Sequence, residues 1–224
     1  MAVKVDLHRY DDELKDLFSY PVDTGGILLY GSSFFHVWGH ERAARQMAAQ
    51  GFDVVNHGFG GATAEELLFY HHRLVRPFAP SALILRGGIN DLLNGYSLEQ
   101  TIDLSERVLA WTRADFPEVR LGVIPAFDCP FLAVASHIGR RTPFHEAMRT
   151  HLWSAYNEAM RAFCEADGNA AYLDITPFFY ENPDEIGTLQ GFKDLFVEDG
   201  LHLTDAGYEQ FAPYFATLLR DNGF

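Results

Sequence analysis

Apolar runs of β-strand type alternate with helical patterns over five units of this chain, beginning at Gly25. The predicted strands cover residues 26–31, 53–57, 82–87, 120–125 and 170–175, and the predicted helices cover residues 37–50, 63–75, 98–114, 143–166 and 204–220. This alternation predicts a parallel sheet with helices on both faces and right-handed crossovers. Because open α/β sheets bind ligands at the carboxyl ends of their strands, the residues directly after each strand are the candidates for a functional site.

The chain length of 224 residues suits one domain with a sizeable core. We expect residues 25–224 to form this domain. Residues 1–24 are polar and acidic with one amphipathic piece, and we expect them to be an N-terminal arm packed on it. Two long irregular segments, 126–142 and 177–200, each follow a strand and should overhang the same end of the sheet.

Composition narrows the range of partners. The formal net charge of −14 argues against nucleic acid or an anionic membrane surface as a partner. The first residues lack the apolar core of a signal peptide, and no apolar run is long enough to span a bilayer. We therefore expect a cytoplasmic protein without stable membrane association. The sequence does not indicate its oligomeric state.

Metal and disulfide chemistry find little support in the sequence. Cys129 and Cys164 provide neither a disulfide framework nor metal-ligand spacing. His36 and His40 share a helix face, but no third ligand is evident, and catalytic zinc sites normally use three protein ligands. We therefore predict no metal site.

The first chemical candidate is the pair of serines in Gly31-Ser32-Ser33, between the first strand and a helix. A serine at that place can act as a nucleophile, since backbone N–H groups at the helix start can stabilise an oxyanion. The alternative is that Ser32 and Ser33 only cap the helix.

The blocks after the second and third strands offer hydrogen-bond donors. Residues 56–63 are rich in glycine, and Gly61 could aim its N–H at an oxyanion. Asn90 follows the third strand, and its side-chain amide is an uncharged donor suited to the same task. Each block has a plainer interpretation, as a flexible turn before a helix and as an Asx turn.

The last block, before the C-terminal helix, contains Asp199 and His202 three residues apart. The carboxylate could accept the Nδ1–H of this imidazole and leave Nε2 free as a base. The alternative is a surface histidine near an acid, which is common in a chain with 10 histidines.

Together, the four blocks resemble those of the GDSL/SGNH hydrolases, over nearly everything from Ile27 to Tyr214. The similarity is strongest to the lysophospholipase-like esterase branch, which reads Gly-Ser-Ser with a tryptophan five residues after the nucleophile, here Trp38. The resemblance implies a three-layer α/β/α sandwich with a five-stranded parallel sheet, flavodoxin-like, that needs no metal or cofactor.

The resemblance also implies roles for individual residues. Ser33 would be the nucleophile, His202 the base and Asp199 its partner. The N–H of Ser33 would form the oxyanion hole with Gly61 and Asn90.

The surroundings of these blocks suggest a substrate pocket lined by Phe34 and Phe35, which follow the serines, by Phe59 and by Arg86. Arg86 departs from the family pattern, in which an aromatic or small residue is more common, and a buried arginine must find a partner.

The implied function is serine ester hydrolysis of small acyl esters, including O-acetyl groups on carbohydrate. A lysophospholipase or acyl thioesterase is an alternative within the same chemistry. A flavodoxin-like module that binds an anion without turnover is an alternative of another class.

Overall fold

The structure is a computed structural model that describes residues 6–19, 24–131, 152–188 and 190–224. The strands in this part of the chain are β1 (Ile27–Gly31), β2 (Val54–Gly58), β3 (Ala82–Arg86), β4 (Arg120–Val123) and β5 (Ala170–Tyr172). They form one parallel sheet in the order β2-β1-β3-β4-β5. The predicted α/β fold with a five-stranded parallel sheet is confirmed, and its strand order is the flavodoxin-like one.

The register brings three strand ends to one level. Gly31 at the end of β1 is aligned with Gly58 of β2 and with Arg86 of β3. The chain leaves β1 toward β2 on one side and reaches β3 on the other, so the crevice for a ligand lies beside β1.

The helices of the described residues are α1 (Asp11–Leu14), α2 (Ser33–Trp38), α3 (His40–Ala48), α4 (Ala64–Leu74), α5 (Ile89–Leu93), α6 (Leu98–Asp115), α7 (Ser154–Asp167) and α8 (Asp205–Asp221). None of them is long and apolar enough to cross a membrane. The single helix predicted over residues 37–50 is wrong. Gly39 has a φ of 78°, and this left-handed conformation ends α2 before α3 begins.

Two hydrophobic cores cover the two faces of the sheet. Ile27 and Leu29 of β1 belong to the core that also takes in α2, α3 and α8. Leu28 and Tyr30 point the other way, into the core formed with α4, α6 and α7. This alternation follows from the period of two in a strand, and it gives the three layers of the fold.

The two long segments meet above the sheet. The backbone N–H of Phe131 donates to the carbonyl of Gly200 (2.9 Å). Part of the second segment is a 3₁₀ helix, Pro183–Glu185. Residues 132–142 of the first segment, and residues 143–151 of the helix predicted after it, lie outside the described part of the chain.

Candidate active site

The turn from β1 into α2 places both serines beside β3. The N–H of Ser32 donates to the carbonyl of Arg86 (3.0 Å). A Cβ at Gly31 would lie 2.2 Å from that same carbonyl oxygen, so only glycine allows the two strands to approach so closely here. Ser32 occupies the N-cap position of α2, but its side chain makes no capping hydrogen bond. The capping interpretation is therefore not supported for Ser32.

Asp199 and His202 form a hydrogen-bonded pair in the turn before α8. His202 Nδ1 lies 2.6 Å from Asp199 Oδ2. The other carboxylate oxygen accepts the backbone N–H groups of Leu201 (2.7 Å) and His202 (2.9 Å). Burial by itself would raise the pKa of Asp199, but these hydrogen bonds and the imidazole hold it below its usual value.

This pairing defines the state of the imidazole. An ionised Asp199 accepts the hydrogen of Nδ1, so Nε2 is left as the acceptor. Nε2 of His202 is buried, and it has no hydrogen-bond partner among the described residues. His202 and Ser33 line the same cavity. The hydroxyl and the base do not yet share a hydrogen bond, as is common before a substrate tightens the site.

Asn90 joins the block after β3 to the block after β2. Its side-chain Nδ2 donates to the carbonyl of Ala62 (2.9 Å), and its side chain lines the cavity with Ser33 and His202. One amide hydrogen is engaged in this bond, so the second is available to another acceptor.

Asp91 joins the block after β3 to the start of α4. Both of its carboxylate oxygens accept the backbone N–H of Ala64 at the start of α4 (2.9 and 3.0 Å). Burial raises the pKa of Asp91 to about 7, although the Ala64 N–H opposes the rise.

The glycine loop after β2 is held by the N-terminal arm, a contact that the sequence does not reveal. The hydroxyl of Tyr10 donates to the carbonyl of Gly60 (2.5 Å), and Arg9 Nη2 donates to that of Gly61 (3.4 Å). Arg9 also pairs through Nε and Nη2 with Glu66, which is fully buried (2.5 and 2.8 Å). Gly61 itself, with a φ of 70°, does not line the cavity.

The predicted pocket residues divide into two pairs. Phe34 and Arg86 line the cavity with the serines. Phe35 and Phe59 do not, and the expectation for them was wrong. Phe35 is fully buried in one core, beneath Gly58, and Phe59 lies in the other, with its ring 5.0 Å from that of Tyr10. Phe35 packs α2 in the first core and Phe59 packs the glycine loop in the second, so neither ring contributes to the cavity wall.

Three aromatic side chains in the cavity wall were missed: Phe127, Phe131 and Trp153. Phe127 and Phe131 belong to the long segment after β4, so the only sequence signal was the length of that segment. Trp153 precedes α7, and nothing in its local pattern indicates a place in the wall.

Metal chemistry finds no ligand set in the described residues, where no three His, Cys, Asp or Glu side chains cluster to hold an ion. His40 Nδ1 is instead 2.8 Å from the carbonyl oxygen of Asn56. His36 Nδ1 lies 3.5 Å from Glu13 of the N-terminal arm.

The cavity thus contains a hydroxyl, an imidazole with an acceptor nitrogen and a carboxylate partner, and an amide donor. These are the groups that acyl transfer through a serine requires.

Solved structures with the same fold include several ester hydrolases. A GDSL-like lipase from Bacteroides thetaiotaomicron superposes with a TM-score of 0.69 at 12% identity, covering 97% of this chain and 100% of that one. An acetyl xylan esterase superposes with a TM-score of 0.64 at 15% identity, covering 88% and 99%. The lipase/acylhydrolase from Enterococcus faecalis gives 0.59 at 19% identity, covering 89% and 97%. At these identities the likeness shows the fold.

No curated protein matches the chain. Residues 26–210 match the sequence model of the GDSL-like Lipase/Acylhydrolase family, without assignment to one of its branches. This range begins just before β1 and ends within α8, so it contains all four sequence blocks. The chain therefore belongs to the GDSL-like lipase/acylhydrolase family and is an ester-bond hydrolase.

Proposed function

We propose that this protein hydrolyses small acyl esters, including O-acetyl groups on carbohydrate, through an acyl-enzyme on Ser33. His202 is the general base, Asp199 orients it, and the oxyanion is held by Asn90 together with the N–H of Ser33. The N–H of Gly61 is the third proposed donor, although Gly61 does not line the cavity in this structure.

One observation carries the proposal. The buried Nε2 of His202 has no partner in the described residues, while its other ring nitrogen is held by Asp199 at 2.6 Å. A buried polar atom without a partner costs free energy, so it points to a group that is supplied during function. The hydroxyl of Ser33 lines the same cavity and provides the proton that this nitrogen can accept.

The steps follow from these positions. Ser33 Oγ attacks the carbonyl carbon while His202 Nε2 takes its proton, and the carbonyl oxygen becomes an oxyanion. His202 then returns the proton to the leaving alcohol as the carbon–oxygen bond breaks. Water, activated by the same imidazole, hydrolyses the acyl-enzyme and regenerates Ser33.

Labelling tests the nucleophile directly. A p-nitrophenyl alkylphosphonate should inactivate the enzyme and add one phosphonyl group, which peptide mass spectrometry should locate on Ser33. Release of p-nitrophenol from the acetate ester should be catalytic in the unlabelled protein. An adduct on Ser32 would overturn the assignment of the nucleophile. Tight binding of the ester without turnover would favour a non-catalytic anion-binding module.

A longer acyl chain is the second candidate, favoured by one feature of the cavity mouth. Leu93 and Phe131 line the cavity and are also exposed to solvent, at 44% and 38%. Apolar side chains at a mouth can hold an acyl chain, as a lysophospholipase or acyl thioesterase requires. The dependence of kcat/KM on acyl length separates this candidate from the first.

A further inference from the structure

Arg86 is a buried cation in the wall of the cavity, and the esterase steps above do not use it. Only 4% of the surface of Arg86 is exposed, so the residue is buried. Nε and Nη1 are buried without a hydrogen-bond partner in the described residues. No aspartate or glutamate of the described chain lines the cavity beside it.

Among the described residues, an aromatic ring lies close to the guanidinium, but it compensates only weakly for the burial of the charge. Its Cζ lies 5.1 Å from the centre of the Phe127 ring, which is within range of a cation–π interaction. A cation–π contact provides no conventional hydrogen-bond acceptor, so within the described residues Nε and Nη1 stay unsatisfied. Burial lowers the pKa of Arg86 to about 10, and the group is still charged at neutral pH.

A buried guanidinium whose Nε and Nη1 lack acceptors in the described residues matches a carboxylate, which brings the opposite charge and two acceptor oxygens. No other lysine or arginine of the described chain lines the cavity, so Arg86 is the permanent cation that a bound carboxylate would meet there. Resting on the proposed function, we propose that Arg86 selects esters that carry a carboxylate: a monoester of a short dicarboxylic acid, or an acyl ester of a hydroxy acid.

Matched pairs of esters test this selection. On the acyl side, monoethyl succinate is compared with ethyl levulinate, in which a methyl ketone replaces the carboxylate. On the alcohol side, acetoxyacetate is compared with acetoxyacetone, which differs in the same way. Hydrolysis is followed at constant pH by titration of the acid released. The wild-type enzyme should favour the charged member of at least one pair by about 10- to 100-fold in kcat/KM, as expected for hydrogen bonds to a charged group.

Variants show whether Arg86 causes the preference. Arg86→Met should abolish the preference, and its melting temperature should be unchanged or higher because an unpaired buried charge has been removed. Arg86→Lys keeps a charge without the fork of N–H donors and should retain only part of the preference. The control Arg107→Met removes an arginine that is 60% exposed and paired with Asp103 on α6, and it should keep the wild-type ratio.

The outcomes separate this inference from the function it rests on. Equal or reversed selectivity in both pairs for the wild-type enzyme would overturn the role of Arg86, even if the methionine variant failed to fold. So would an unchanged ratio in Arg86→Met. Failure to hydrolyse any of the four esters or p-nitrophenyl acetate, with no serine labelled by the phosphonate, would instead overturn the proposed function.

Discussion

Replacing Asn90 with alanine should separate catalysis from binding. The side chain of Asn90 has two amide hydrogens, and one is donated to the carbonyl of Ala62 at 2.9 Å. If the other stabilises the oxyanion, its loss removes an interaction that exists only in the transition state. Removal of one such donor costs about 2.7–4 kcal/mol, or about 10²–10³-fold in kcat, with little change in KM.

The same substitution has a separate cost for folding. The hydrogen bond to Ala62 disappears, and a net loss of about 1 kcal/mol in the free energy of unfolding is expected. This cost is too small to unfold a domain of ordinary stability, so the loss of kcat can be measured on folded protein. Steady-state hydrolysis of p-nitrophenyl acetate gives kcat and KM, and urea unfolding gives the stability.

A matched control lies one helical turn further on. Asn94 is exposed, and its Nδ2 donates to the carbonyl of Asn90 at 2.7 Å, so Asn94→Ala removes a similar bond outside the cavity. It should keep the wild-type kcat. An effect of Asn90→Ala confined to KM, or an equal fall of kcat in Asn94→Ala, would refute Asn90 as an oxyanion donor.

The other predictions concern the nucleophile, its base, a buried carboxyl group and acyl length. Ser33→Ala should remove nearly all esterase activity in a folded protein and Ser32→Ala should keep most of it; reversed phenotypes would make Ser32 the nucleophile. Asp199→Asn should lower kcat by up to about 10⁴-fold because the Nδ1–H tautomer loses its acceptor, whereas Glu198→Gln should be neutral, and equal effects would contradict the pairing. The pKa of Asp91 is raised to about 7 in the folded protein, so folding favours its protonated form, and the free energy of unfolding should fall by up to about 4 kcal/mol as pH rises from about 4 to about 7. Urea unfolding of Asp91→Asn should lack this part of the pH dependence, and an unchanged profile would show that the carboxyl group does not titrate there. Finally, the large rings of the cavity wall should leave little room for a long acyl chain, so p-nitrophenyl acetate should be hydrolysed faster than the decanoate. Faster turnover of the decanoate would support the lysophospholipase or thioesterase alternative.

The sequence alone was enough to predict the sheet and the blocks at its edge. Apolar runs as short as Ile27–Tyr30, each followed by a helical pattern, can be buried together only in a parallel sheet covered on both faces. Since parallel strands end at the same edge, the blocks that follow them converge there whatever the loop conformations are. Asp199 and His202 are three residues apart, so their contact was also accessible to local reasoning.

Only the tertiary structure decided which side chains face the cavity. Phe34 and Phe35 are neighbours of the same type, yet Phe34 lines the cavity and Phe35 is buried beneath Gly58, because the turn of α2 sets their directions. The ion pair between Arg9 and Glu66 joins residues 57 positions apart. Arg86 could be recognised as a departure from the family pattern, but not as a buried cation whose Nε and Nη1 find no hydrogen-bond acceptor in the described part of the chain. Local sequence patterns predict helices and strands. Whether a buried side chain finds a hydrogen-bond partner depends on all the residues that the folded chain packs around it, and local patterns do not contain that information.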